Sequence, residues 1–133
     1  MMIREQMEER ELTEQGEAFI RGWYARIDAK VPFEEIAGDT AGESLIVDFP
    51  GNPLDFCGFK SWYEGQCRDF TGRHQLHTVR VSGSDTEMEI FSEITWTAEK
   101  TEGGTLTLYP NVTLRLVKDG GWKVRYYGCV DRK

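Results

Sequence analysis

The chain predicts an α+β fold in which a curved antiparallel sheet packs over N-terminal helices, and three observations carry that prediction. Apolar residues recur at helical spacing in two stretches before residue 70, whereas nearly everything after Arg73 alternates with period two. Short glycine-containing turns at Gly83-Ser84, Glu102-Gly103-Gly104 and Asp119-Gly120-Gly121 separate four consecutive strands, which as hairpin neighbours form an antiparallel meander. Helices first and strands afterwards place the helices together on one face of the sheet.

Each element follows from its own residues. Residues 1–12 are a charged, helical lead-in free to fray. Phe19, Ile20, Trp23, Tyr24 and Ile27 then define an amphipathic helix over about 13–29. Val31-Pro32 stops it, and Pro32 opens a short second helix through Phe33, Ile36 and Ala37. Leu45 to Phe49 reads as a first strand, with a brief second one at 54–57 after the Pro50-Gly51-Asn52-Pro53 turn. Residues 58–70 form the clearest helix, with Phe59, Trp62, Tyr63, Gln66, Cys67 and Phe70 on one face. Strands over roughly 73–82, 86–97, 105–117 and 122–130 complete the chain.

Alternation assigns the strand faces. Met88, Ile90, Ser92, Ile94 and Trp96 share one side, as do Leu106, Leu108, Pro110, Val112 and Leu114, so these rows line a core or a pocket. The opposite rows are rich in Thr and Glu and could be solvated or could pair with a second subunit.

At 133 residues the chain reads as one domain able to bury a core without staples. Three cysteines in no C-x-x-C pair argue against a disulfide framework. A net charge of -7, from 16 basic and 23 acidic residues, disfavours nucleic acid as a partner. No apolar run approaches the roughly 18 residues that a membrane helix needs, and the charged N-terminus has no signal-peptide centre; the cytoplasm is the expected location. The histidine spacing fits no metal motif and no phosphate-cradling glycine loop is present, so neither metal nor cofactor is expected.

Asp48 is the most informative residue, because it interrupts the apolar run Leu45-Ile-Val-Asp48-Phe49. A carboxylate entering an apolar space acquires a raised pKa and suits a general base; the plain alternative is an acid that supports the following turn. His74 and His77 lie three apart on one strand and so face opposite ways unless a bulge intervenes. His77 shares its parity with Val79 and Val81, which favours it in the pocket. Val124 likewise favours Tyr126 over Tyr127 inside. Asp28 lies one turn after Tyr24 on the same helix face, where such a pair would position a substrate oxygen; the plain alternative is a helix-end acid exposed to water.

This order of elements resembles the nuclear transport factor 2-like superfamily, in its SnoaL-like and ketosteroid isomerase-like branch, over nearly the whole chain from about Glu14. The resemblance rests on Ile46-Val-Asp48-Phe-Pro-Gly51, on Cys57-Gly-Phe59 opening the Trp62-Tyr63 helix, on Arg73-His-Gln-Leu-His77-Thr-Val-Arg-Val81, and on Lys118-Asp-Gly-Gly-Trp122-Lys-Val124. It implies a cone with a deep apolar pocket and a homodimer formed through the outer sheet face. In ketosteroid isomerases it implies an aspartate base at Asp48 and a helix tyrosine near Trp23 or Tyr24. Where those enzymes carry a protonated aspartate, this chain has Val112, so one of two oxyanion donors is missing. Scytalone dehydratase-like members imply a site at Asp28 and His74 instead.

The combined expectation is a pocket for a hydrophobic, carbonyl-bearing ring compound, with cyclase, isomerase or dehydratase chemistry by acid and base. Asp48, His77 and Tyr24 are its catalytic candidates. Trp23, Asp28, Phe49, Trp62, Tyr63, His74, Ile90, Ser92, Leu108, Val112 and Tyr126 are its binding candidates. The alternative is a non-catalytic ligand carrier or dimeric interaction module.

Overall fold

A computed structural model describes the backbone of residues 2–132 and the side chains of residues 9–132. Helix α1 (Met2–Asp28) takes in the charged lead-in from Met2 onward; Met1 lies outside the described residues. Its inner face carries Ile20, Trp23 and Tyr24, all buried. Each fully buried side chain of this size is worth about 1.5–3 kcal/mol over exposure. Gly16 lets α1 approach the sheet, since a Cβ there would stand 2.7 Å from both Val81 methyls. The helix ends with Lys30 at a φ of 56°, a left-handed turn, and Pro32 then caps α2 (Phe33–Ala37).

A single turn of 3-10 helix at Gly42–Ser44 leads into β1 (Ile46–Phe49), and β2 (Asn52–Leu54) doubles back on it. The second strand therefore precedes its expected position. Asp55 is the reason: its carboxylate accepts the Gly58 N–H at 2.7 Å and starts α3 (Phe56–Asp69) two residues early. β3 (Phe70–Gly83), β4 (Glu87–Lys100), β5 (Thr105–Leu108), β6 (Pro110–Lys118) and β7 (Trp122–Asp131) follow. The strand expected over 105–117 is interrupted at Tyr109-Pro110, where Pro110 has no N–H to give to the ladder.

The sheet is curved and unclosed, ordered β2-β1-β7-β6-β4-β3, with β5 paired to β4. The expected meander of β3, β4, β6 and β7 is present. One pairing is parallel rather than antiparallel, that of β1 with β7. Helices and sheet enclose a core that includes Ile36, Val47, Phe59, Ile90, Ile94, Val112, Leu114 and Val124.

Two bulges set the side-chain directions that matter below. In β3, Leu76 pairs with Ile94 and Thr78 with Glu93, so His77 is an extra residue without a partner. In β7, Arg115 pairs with Tyr126 and Leu116 with Val124, which leaves Arg125 extra. Each bulge reverses the inside–outside alternation along its strand.

Candidate functional site

Between α1, α3 and the concave sheet lies a cavity of about 310 Å³. Polar groups reach its wall from several elements, Gln66 of α3 and Asp131 of β7 among them. α1 supplies Tyr24 and Asp28 one turn apart, β3 supplies His74, and β7 supplies Tyr127 with Cys129 beside it. Aromatic walls come from Phe49 on β1, Trp62 and Tyr63 on α3, Phe70 on β3 and Trp96 on β4.

Asp28 and His74 form the tightest pair. Asp28 Oδ1 lies 2.6 Å from His74 Nδ1, and Oδ2 accepts the backbone N–H of His74 at 2.8 Å. An ionised carboxylate only accepts, so Nδ1 carries a proton and the imidazole is held in one tautomer. Nε2 has no partner among the described residues, and its lone pair is free to take a proton. The two side chains are 20% and 14% exposed, so the pair is screened from bulk water without being sealed off. The His74 ring lies against Tyr24 with centroids 4.2 Å apart, and against Trp96 at 5.9 Å.

The second polar unit is a pair of hydroxyls. Tyr24 and Tyr127 oxygens are 2.8 Å apart. Their mutual bond uses one of two hydroxyl protons, which leaves the other for a neighbour or a ligand oxygen. Burial pushes both phenols well above their ordinary pKa; the charge Tyr127 would carry adds to this for Tyr24, and the charge Cys129 would carry adds to it for Tyr127, partly offset there by the hydrogen bond from Tyr24. Both therefore remain neutral donors through the whole neutral range. Burial also raises the Cys129 thiol to about 12, so it is no thiolate nucleophile. The buried indole N–H of Trp23 has no partner at hydrogen-bonding geometry among the described residues, although it lies close enough to Tyr127 to hold that phenol's pKa down slightly. Tyr63 closes the far wall by donating to the Val31 carbonyl at 2.6 Å, which ties α3 to the end of α1.

The candidates divide by position. Tyr24, Asp28, Phe49, Trp62, Tyr63, His74 and Leu108 line the cavity. Trp23, Ile90, Ser92 and Val112 instead fill the closed core, with the Ser92 hydroxyl satisfied by the Thr78 carbonyl at 2.7 Å. Three placements require correction. Asp48 does not enter the interior: Val47 and Phe49 point inward, so the acid between them faces out and is exposed, accepting the Tyr126 hydroxyl at 2.8 Å. His77 sits at the β3 bulge on the exposed face, bonded to the Thr95 hydroxyl, while His74 turns inward. Tyr126 faces out and Tyr127 in, because the bulge at Arg125 reverses the parity that Val124 had implied. Tyr127, Trp96 and Cys129 are wall residues absent from the expected set; the alternation of β4 placed Trp96 inward, but nothing in the sequence marked it as open to a cavity.

Among the described residues no group of histidine, cysteine and carboxylate side chains could hold a metal ion, and no helix is long and apolar enough to cross a membrane.

A curved open sheet over three helices is the nuclear transport factor 2-like fold, of the kind shared by scytalone dehydratase-like and ketosteroid isomerase-like proteins. Solved structures show it directly. A Novosphingobium aromaticivorans protein provisionally named a scytalone dehydratase matches with a TM-score of 0.83 at 22% identity, over 100% of this chain and 89% of that one. A nuclear transport factor 2-like protein from Salmonella enterica matches at 0.78 and 13% identity, over 96% and 93%. A ketosteroid isomerase-like protein from Erwinia carotovora atroseptica matches at 0.74 and 12% identity, over 91% and 96%. No protein-family model matches the chain, and no curated protein matches it in sequence.

Proposed function

We propose that the protein is a cofactor-independent acid/base catalyst acting on a hydrophobic, carbonyl-bearing ring compound, with His74 as the proton-transferring group and Asp28 as its orienting partner. The observation that carries this reading is the Asp28–His74 pair opening onto an aromatic cavity. A base whose second nitrogen is pinned by a carboxylate is directed at the space in front of it. The α-proton of a bound ketone would pass to Nε2, and its C–H electrons would form the enolate double bond. A neutral phenol proton of the Tyr24–Tyr127 pair would then stabilise the enolate oxygen. From that enolate, return of the proton to a different carbon is isomerisation. Loss of a β-hydroxyl, which leaves as water with the proton from Nε2, is dehydration. Attack of the enolate carbon on a second carbonyl carbon, whose π electrons move to its oxygen and take up the proton from Nε2, is cyclisation. The likeness to a protein named a scytalone dehydratase supports the same chemistry.

The alternative, a ligand carrier or dimeric module, has one observation in its favour. The outer sheet face is polar but carries exposed Ile46, 58% accessible, and Val130, 63% accessible, which a second copy of the chain would cover.

Exchange of the α-protons of 2-tetralone in D2O, followed by proton NMR, separates these readings. The unsubstituted protein should accelerate exchange above buffer. His74→Gln should lower the rate by about 10²-fold or more, the usual contribution of a placed general base. Asp48→Asn should leave it unchanged. Full exchange by the His74→Gln protein would discard the mechanism. Binding of 2-tetralone without acceleration would favour the carrier.

A further inference from the structure

Trp96 is a cavity residue that the acid/base scheme leaves unused. Its indole N–H has no hydrogen-bond partner among the described residues, although tryptophan N–H groups that leave water usually find one. Unlike the nitrogen of Trp23, that of Trp96 is not sealed within the protein. Trp96 is the cross-strand partner of His74, and the rings stand 5.9 Å apart, so a group bonded to the indole N–H would sit beside the base.

The neighbouring strand is built to allow this. Gly72 pairs with Ala98, one diagonal step from Trp96, and a Cβ at Gly72 would meet Trp96 Nε1 at 2.8 Å, Ala98 Cβ at 2.8 Å and the Thr97 carbonyl at 2.7 Å. The backbone at Gly72 is not in the left-handed region, so its conformation does not demand glycine. A glycine within a long strand is destabilising relative to alanine. Here the missing side chain is what leaves room for the indole nitrogen beside Gly72, and both residues line the cavity. Phe70 holds the other edge, its ring packed edge-on against Trp96 at 5.4 Å.

We infer that Trp96 is a specificity-determining residue whose indole N–H donates a hydrogen bond to an oxygen of the bound ring compound, with Gly72 keeping the donor in place. This rests on the cavity being the binding site proposed above. The geometry selects ligands that carry an acceptor oxygen on the ring, a ketone or a hydroxyl, over hydrocarbons of the same shape. A phenylalanine at this position would fill much of the same space and lose the selection.

Two probes of one skeleton test it: 2-tetralone, and tetralin, which lacks the oxygen. In a 15N-labelled sample, with the Trp96 indole resonance assigned through Trp96→Phe, 2-tetralone should move that proton downfield and tetralin should not. Replacing Trp96 with benzothienylalanine, the isostere that has sulfur for N–H, should weaken 2-tetralone binding about five- to tenfold, the size of one neutral hydrogen bond. It should leave tetralin binding unchanged. An indole proton unmoved by bound 2-tetralone, or equal weakening of both probes, would overturn the inference while leaving the cavity intact. If neither compound binds the unsubstituted protein, the cavity reading fails and the donor role falls with it.

Discussion

The two-point attachment between α1 and β3 makes an asymmetric stability prediction. Asp28 accepts two hydrogen bonds from His74, one from the ring and one from the backbone N–H. Removing the carboxylate breaks both bonds, whereas changing the ring breaks only one. Hydrogen bonds to a charged group contribute about 1.5–3 kcal/mol each, and partial exposure of both side chains places this site at the low end. Asp28→Ala should therefore cost about 3 kcal/mol. His74→Phe keeps a ring against Tyr24 and should cost about 1.5 kcal/mol. The double mutant should cost no more than Asp28→Ala alone, a coupling of about 1.5 kcal/mol, because the ring bond is already lost there. Urea denaturation at neutral pH, with the slope compared across the four proteins, measures all three values. If His74→Phe destabilised more than Asp28→Ala, or if the coupling fell below about 0.5 kcal/mol, the latch would not be the interaction that joins the helix to the strand.

The buried phenols and thiol predict an alkaline limit. Tyr24, Tyr127 and Cys129 hold their protons more tightly in the folded chain than in the unfolded one, where their ordinary values are 10.0, 10.0 and 9.0. Below about pH 8 all three are protonated in both states and contribute no pH dependence. Above it the unfolded chain loses protons that the native state keeps, so stability falls by up to about 1.4 kcal/mol per pH unit for each group engaged. For Cys129 this continues to about pH 12. Cys129→Ala should flatten the stability profile between pH 9 and 12, as read from melting temperature; an unchanged slope would contradict the burial assigned to the thiol. The β3 bulge makes the last prediction. Because His77 is the unpartnered extra residue, deleting it should restore simple alternation with His74, Leu76 and Val79 still inward, and the protein should fold with a melting temperature lowered by only a few degrees. Collapse of the fold on this deletion would show that the assigned register is wrong.

Local periodicity carried most of the architecture. The i, i+3, i+4 spacing of Ile20, Trp23, Tyr24 and Ile27, and the strict alternation of Met88 through Trp96, state which face of each element is buried, and those faces are the buried ones. The polar partnership of α1 with β3 was visible only as a pair of acid and imidazole candidates, since Asp28 and His74 are 46 residues apart and nothing local joins them. Asp48 was misplaced because an apolar run with one acid reads the same whether it is buried on both sides or alternates. Tertiary packing chose alternation, with Ile46 and Asp48 out and Val47 and Phe49 in.

What the chain decides by itself is what nearest neighbours can decide: helix faces, turn positions, the run of strands and the absence of a metal spacing. What needed the folded sheet was the inside or outside of His74, His77, Tyr126 and Tyr127. Parity is inherited along a strand, and one unpaired residue inverts it; where that residue falls depends on the partner strand and on the curvature the sheet must take to close over the helices. For that reason the cavity wall is a property of strand pairing rather than of any one segment.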